Sequence, residues 1–560
     1  MRKNRLRSGI RHAAALALAA GMTIMTSACG LGGSGETGAG TTAASTITTT
    51  EAATMAAPTA DANRKTTASG ERYDKISIGM ISDPKDLSPI SLGGSNSQLY
   101  IFYSIYEPLF DYRDNNYEPI LAKGYKEIDD THWQVELYDY IYDSEGNHIT
   151  ADDVVYSFEI FVASGRALKF DSFESIKKID DYTVEFTWTG PINSIGALEW
   201  PWCRTCIISK EAFDKGNFSD TPVGTGPYKV TEFVPGAHVI MEANDAYWQK
   251  EELRDPEHLA NVQTVQYDVI SETSQHVIAL STGQIQYSEY VPSENIRDFQ
   301  TGGKYSENCD TYITQGSALY VMMANNAESA ITTDENLRKA IYYALDNDAI
   351  AMAAGSCLPA HAFGTPFFPD YDEAWESQEG NYMGASNLEL AKQYLEQSGY
   401  QGETIRLLGV SEEVMKNMMT MSQALLLQAG INVEIIAEEE ALQQTDMQDP
   451  TKWELLITKA GGGNQIGEWN RPANYNEFGT GYNMAFIHDE ELQRQLLLCK
   501  SLAGHTAANM GTMHQYMLDN AYYYAICAPQ MNATFHKDFA TLIYRENEFL
   551  RPGACEYYLD

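Results

Sequence analysis

The sequence predicts an α/β protein of more than one lobe, on three observations. At 560 residues the chain is too long for one compact core, and domains usually run about 50 to 250 residues, so two or three lobes are expected. The stretch from about 112 to 220 is dominated by strand-like text. After about residue 311, strand, helix and strand segments follow one another, the pattern of a parallel βαβ unit. A composition that is 44% hydrophobic and 11% aromatic is that of a folded chain.

In chain order, "KISIGMI" (Lys75 to Ile81) alternates and predicts a strand. "SQLYIFYSIYEPLF" predicts a buried helix running into Pro108. "HWQVELYDYIYDSEGNHI" reads as β-structure with a Ser-Glu-Gly-Asn turn. "TADDVVYSFEIF" opens a helix with Thr150 as N-cap and Asp153 three residues on. Val154, Val155, Phe158 and Phe161 form its apolar face. "YTVEFTW" is again strand-like. "TTDENLRKAIYYALDNDAIA" predicts one amphipathic helix capped by Thr333, with Leu337, Ile341, Ala344 and Leu345 inward. "NLELAKQYLEQSG" predicts a helix closed by Gly399 as a C′ glycine. "TIRLLGV", "SEEVMKNMMTMSQALLLQAG", "INVEIIAE" and "WELLITKAG" then read as strand, helix, strand and strand. The helix's methionines are read as core.

The N-terminus reads as a targeting segment. Arg2, Lys3, Arg5, Arg7 and Arg11 form a positive region, and Ala13 to Met25 is apolar or small but too short to span a bilayer. No later segment offers an apolar run long enough to span. Gly30 to Gly70, rich in Thr, Ala, Gly and Ser, is expected to be a flexible tether. Losing the first 28 residues takes five positive charges away and moves the formal charge from −39 to −44. Such acidity excludes nucleic acid as a partner, because phosphate binding needs Lys and Arg. It equally excludes charge-driven adhesion to anionic lipid. It fits solubility outside the cell, or a preference for cationic ligands.

Of the eight cysteines, Cys29 stands directly behind the apolar run. The other seven, Cys203, Cys206, Cys309, Cys357, Cys499, Cys527 and Cys555, are odd in number and imply no complete disulfide set. Cys203-Arg-Thr-Cys206 has half of a zinc spacing without a second half. It is read as a local disulfide or two buried thiols, and no metal site is expected. No Gly-x-Ser-x-Gly elbow, His-Glu-x-x-His pair or phosphate-binding loop occurs. "GTGPYKV" (Gly224 to Val230) fails as a dinucleotide loop, since Pro227 and a strand follow where a helix should open; it reads as a tight turn launching a strand. Nothing argues for an enzyme, a cofactor or a metal.

Four pieces, in order, carry a resemblance: "YEPLFDYRDNNYEPILAKGY", "VELYDYIYDSEGNHITADDVVYSFE", "GTGPYKVTEFVPGAHVIMEANDAYW" and "NLRKAIYYALDNDAIA". From about residue 75 to the C-terminus the chain resembles the family 5 extracellular solute-binding proteins of ABC transporters, the oligopeptide- and dipeptide-binding group. The resemblance implies a two-lobed periplasmic-binding-protein-like (class II) fold, its lobes joined by two crossing strands. An extra β-rich subdomain is inserted in the first lobe. The implied division is 1–28 signal peptide, 29–70 lipidated cysteine and tether, 71–111 and 221–310 lobe one, 112–220 the β-rich subdomain, 311–520 lobe two, and 521–560 a return to lobe one that carries Cys527 and Cys555. In this context Thr26-Ser27-Ala28-Cys29 resembles a lipobox, with Thr26 where Leu is usual, and implies lipidation of Cys29. Two or three acyl chains would anchor the chain stably.

Such a protein closes two lobes on a solute and presents the closed form to a permease. Peptide binders of the family tend to place an Asp-Pro after a strand like "WELLITKAGGG", and the Asp pairs with the peptide's amine. Here Arg471-Pro472 stands at that place, and a cation cannot anchor an ammonium. Three ligands are therefore considered: a peptide held differently, a carboxylate-bearing ligand on Arg471, or an oligosaccharide stacking on Trp469 beside Asn464. The alternative for this segment is that Arg471 is a surface residue and Trp469 packs against a lobe. Candidate ligand-binding residues are Gly94, Ser95, Asn96, Ser97 and Gln98 on the first lobe, and Gly462, Gly463, Asn464, Trp469 and Arg471 on the second. The expected partners are a small solute, permease subunits and the membrane through a lipid only, with the chain a monomer on the outer face of the cell membrane. A solute receptor for signalling is the competing class.

Overall fold

A computed structural model describes residues 58–84, 86–91, 96–113, 116–164, 172–192, 197–316, 318–368, 370–461, 469, 474, 483–545 and 549–560. In it the strand Tyr73–Met80 lies parallel to Val262–Val269 and is bridged to Tyr287 on its other side. Ile76 to Met80 are all buried rather than alternating, as expected of a strand covered on both faces. On one side the sheet continues through the antiparallel strands His238–Ala243 and Tyr228–Val234. On the other it passes through Tyr287–Ser288 to the long strand Tyr523–His536.

Tyr523–His536 belongs to two lobes at once. Its C-terminal half pairs with Tyr287–Ser288 and with Cys309–Gln315, from Cys309 opposite His536 to Gln315 opposite Gln530. Its N-terminal half pairs with Ala318–Ala324, Met323 facing Tyr523. From there the second lobe runs through Leu455–Gly461 and Ile405–Val410 to Val433–Glu438. The last two are parallel and joined by the helix Glu413–Ala429, so the strand–helix–strand text folds as a βαβ unit. Met415, Met418 and Met419 of that helix are buried in the core.

Each lobe has its own core. Phe102, Tyr106, Val265 and Tyr267 lie in the first; Val321, Ile341, Leu407 and Trp453 lie in the second. A third cluster, with Trp133, Phe158, Phe186, Trp188 and Trp202, sits under a separate four-stranded antiparallel sheet of Ala122–Asp129, His132–Leu137, Thr183–Trp188 and Phe173–Asp180. Its helix Ala151–Ala163 starts as read, with Asp153 Oδ2 accepting from the Thr150 N–H at 2.9 Å. In "GTGPYKV", a Cβ on Gly224 would lie 1.8 Å from the Ile105 carbonyl oxygen and one on Gly226 2.6 Å from that of Ser104. The glycines let this turn press on the end of helix Asn96–Ile105 before strand Tyr228–Val234 begins.

Several sequence expectations need correcting. The segment after Thr333 forms two helices, Glu335–Ala344 and Asn347–Ala354, because Leu345 is extended and Asp346 caps a new start. The first cap is Asp334, whose carboxylate accepts from the Asn336 and Leu337 N–H groups. Helix Leu388–Gln397 ends at an extended Ser398, and the Gly399 N–H donates to Asp334 Oδ2 at 2.6 Å instead of closing a left-handed cap. The tether expected as far as Gly70 stops short of it. Thr66 bridges Tyr558, Arg64 pairs with Asp560 at 3.0 Å, and its guanidinium lies 3.6 Å from the Tyr558 ring centre. Cys527 packs in the second-lobe core, not beside Cys555 in the first, because it lies on the half of the crossing strand that faces Tyr320. Cys203, Cys206, Cys309, Cys357, Cys499, Cys527 and Cys555 carry free thiols, which removes the local Cys203–Cys206 disulfide.

The C-terminal segment is held by a charged network that the sequence did not announce. His258 donates from Nδ1 to Glu107 and from Nε2 to Asp111, each at 2.9 Å. Arg551 donates to Asp111 at 3.1 Å and to the Tyr103 carbonyl at 2.6 Å. Glu107, with no exposed surface, also accepts from the Tyr247 hydroxyl and from Trp248 Nε1. Burial and the Arg551 charge pull His258 down, but hydrogen bonds to Asp111 and Glu107 outweigh them and raise its pKa to about 9.

Candidate solute-binding cleft

The two crossing strands set the floor of a cleft between the lobes. Tyr312 and Thr314 come from one of them; Met531, Asn532 and Ala533 come from the other. The first lobe adds Glu289, just beyond the short strand Tyr287–Ser288, and Tyr544 from the C-terminal segment. The second lobe adds Pro366 and Phe367. Together they enclose a cavity of about 140 Å³. Sites of this kind combine apolar walls with a few placed polar groups.

Glu289 is positioned by its neighbours. The Tyr287 hydroxyl donates to its carboxylate at 2.5 Å, and the Tyr287 and Tyr544 hydroxyls lie 2.9 Å apart. Burial and then the Glu289 charge push the Tyr544 and Tyr290 hydroxyls well above their usual range. A smaller hollow that Glu289 also lines is bounded by Ile78, Met80 and Tyr290. On the floor, Asn532 Nδ2 donates to the Val291 carbonyl at 3.4 Å. Its Oδ1 is buried and has no hydrogen-bond partner among the described residues.

The second-lobe wall is built from behind. The Thr365 hydroxyl donates to the Gly316 carbonyl at 3.4 Å and accepts from the Phe367 N–H at 3.1 Å. Two residues earlier, the Phe363 carbonyl accepts from Trp469 Nε1 at 2.6 Å, and the Phe363 N–H donates to His514 Nε2 at 2.9 Å. Trp469 is fully buried, its ring 5.2 Å from Trp375. It packs within the second lobe and supports the wall, instead of offering a face to the cleft. Burial pulls His514 down to about 3.

Of the other residues singled out from sequence, Gly94, Ser95, Gly462, Gly463, Asn464, Arg471 and Cys29 lie outside the described residues. Asn96, Ser97 and Gln98 form the first turn of helix Asn96–Ile105. Sequence reasoning missed Glu289, Asn532 and Tyr544. In a chain with 77 acidic residues, one Glu after a two-residue strand carries no signal of its own. Only the pairing of Ser288 with Thr534 brings it to the cleft. Among the described residues no His, Cys, Asp and Glu cluster has metal-site geometry, and no helix is long and apolar enough to cross a membrane.

Comparison with known proteins gives the same architecture. The fold matches the HbpA2 structure from Haemophilus parasuis at a TM-score of 0.75 and 17% identity, over 87% of this chain and all of that one. It matches the AppA oligopeptide-binding protein of Bacillus subtilis, solved with a nonapeptide, at a TM-score of 0.61 and 18% identity, over 88% of this chain and all of that one. In sequence, AppA of Bacillus subtilis is 26% identical over 298 residues, 50% of this chain and 51% of AppA. The chain thus spans about half the length of such curated relatives. These relatives are named as binding proteins rather than enzymes. The profile of bacterial extracellular solute-binding proteins, family 5, middle region, matches residues 116–482. With two lobes sharing a crossing strand, a cavity at the crossing and a family match over more than half its length, the chain belongs to the bacterial extracellular solute-binding proteins of family 5.

Proposed function

We propose that the chain is a membrane-anchored extracellular lipoprotein that captures a solute, a peptide in the first instance, between its lobes and delivers it to an ABC transporter permease. The observation that carries this reading is the cavity at the strand crossing, to which both lobes and both crossing strands contribute. A solute bridging such walls stabilises the closed arrangement by its differential contacts, and the closed form is what a permease would recognise. The nonapeptide held by AppA of Bacillus subtilis supports a peptide ligand. The burial of Trp469 argues against the oligosaccharide reading, because no indole face is left for a sugar ring. Gly94 to Gln98 and the segment with Gly462, Gly463, Asn464 and Arg471 are proposed to complete the site from the two lobes.

Native mass spectrometry of gently purified protein tests the ligand. A co-purified peptide ladder on a monomer is expected, whereas an oligosaccharide would replace the peptide reading. Lipidation at Cys29 is proposed as the anchor. Cys29→Ser is expected to move the protein from the membrane to the soluble fraction, and unchanged membrane retention would refute the anchor.

A further inference from the structure

Two of the free thiols meet where the lobes join. The short strand Cys357–Pro359 pairs with the crossing strand, Cys357 opposite Pro529 and Pro359 opposite Cys527. Residues two apart on a strand share a face, so Cys357 and Cys527 are diagonal neighbours on one side of the sheet. The Cys527 thiol donates a hydrogen bond to the Cys357 sulfur. Cys527 is fully buried in the second-lobe core, whereas Cys357 is partly exposed. The hydrogen bond from Cys527 outweighs burial and, with the Lys459 charge, holds the Cys357 thiol below its ordinary value. Burial pushes Cys309, Cys499 and Cys555 the other way, up to about 11, 11 and 12. Cys203 and Cys206 pack in different cores.

We propose that Cys357 and Cys527 form a redox-active pair, oxidised by exchange with a low-molecular-weight disulfide, and that the bond they form stiffens the floor of the cleft. The Cys357 thiolate attacks one sulfur of the small disulfide, whose S–S bond breaks. A mixed disulfide forms on Cys357, and one small thiol leaves, taking up the proton that Cys357 had lost. The Cys527 sulfur then attacks Cys357 Sγ, and its proton goes to the second small thiol as that leaves. Two protein thiols are oxidised and one small disulfide is reduced. Such bonds persist outside the cytoplasm, where the extracellular proteins of this family work. Diagonal neighbours lie about 7–8 Å apart at Cα, slightly beyond the usual disulfide span of about 4.4–6.8 Å, so closing the bond draws the two strands together. The crossing strand can yield there, because its ladder slips at Ile526: Tyr320 faces Cys527, but Val321 faces Ala525. Met531, Asn532 and Ala533 of the cleft floor follow on the same strand, and Phe367 of the wall follows Cys357–Pro359 in the chain.

The test treats the folded, fully reduced mature chain with oxidised glutathione and reads intact mass and peptide maps. Wild type is expected to lose the mass of two hydrogens and retain no glutathione, with Cys357 linked to Cys527 in the map. Cys527→Ala removes the thiol that attacks second and is expected to hold one glutathione on Cys357. Cys357→Ser is expected to show neither the link nor an adduct, and melting curves check that both variants are folded. In ligand-free wild type, hydrogen exchange at Met531–Ala533 and Phe367 is expected to slow on oxidation and to recover after reduction with dithiothreitol. A pair that stays reduced in the folded protein, a link that forms only in urea, or no adduct on Cys357 in folded Cys527→Ala overturns the redox pair. A link that leaves exchange at Met531–Ala533 unchanged overturns its hold on the cleft floor.

Discussion

His258 lies between two carboxylates and a guanidinium with almost no exposed surface, and that arrangement sets a pH dependence. Its folded pKa of about 9 stands above the ordinary 6.5, so its contribution is fully present below pH 6.5 and is lost as pH rises through 9. The loss is on the order of 3 kcal/mol, read by urea unfolding at a series of pH values. His514 works in the opposite sense. Its pKa falls to about 3, so the neutral ring's contribution holds above pH 6.5 and declines as pH falls toward 3. Stability limited by these two residues peaks near pH 6.5. His258→Ala leaves Glu107 buried without its cation and Asp111 with Arg551 alone, and is expected to cost about 3–5 kcal/mol. The same substitution should abolish the alkaline step. Neither histidine was legible in sequence, because no local spacing joins residue 258 to 107, 111 and 551, or 514 to 363; the contacts exist only once these distant segments have folded together.

At the scale of elements, local pattern sufficed where a segment makes its own case. The helix Glu413–Ala429, the strands around it and the Thr150–Asp153 start all follow from periodicity and capping chemistry. It failed where a residue serves a distant neighbour. Asp334 caps helix Glu335–Ala344 and also accepts from Gly399, 65 residues away, so helix Leu388–Gln397 ends without the expected glycine cap. Asp334→Ala removes all three bonds and is expected to cost about 1–2 kcal/mol in chemical unfolding. Gly224→Ala places a methyl group against the Ile105 carbonyl and is expected to cost at least about 1–3 kcal/mol, since backbone and not a pliable side chain must move. A neutral result there would mean that the turn does not press on the helix end.

At the scale of the whole molecule, the two-lobed plan was legible because length, a β-rich middle and a later βαβ run each leave a mark on sequence. The cleft was not, because its lining is gathered from segments as far apart as Glu289, Phe367 and Tyr544. Sequence motifs pointed to the segment around Trp469, and that residue proves to brace the wall from behind through the Phe363 carbonyl. The strand Tyr523–His536 pairs with strands of both lobes, so a solute resting on it touches an element that the two share. Ligand binding should therefore raise the melting temperature and protect the crossing strands together. Hydrogen exchange of the mature protein with and without a pool of short oligopeptides reads this directly. Slower exchange at Tyr312–Thr314 and Met531–Ala533, with Phe367 and Tyr544 alongside, is the predicted result. Peptide binding that leaves those amides unchanged and protects some other surface would contradict capture between the lobes.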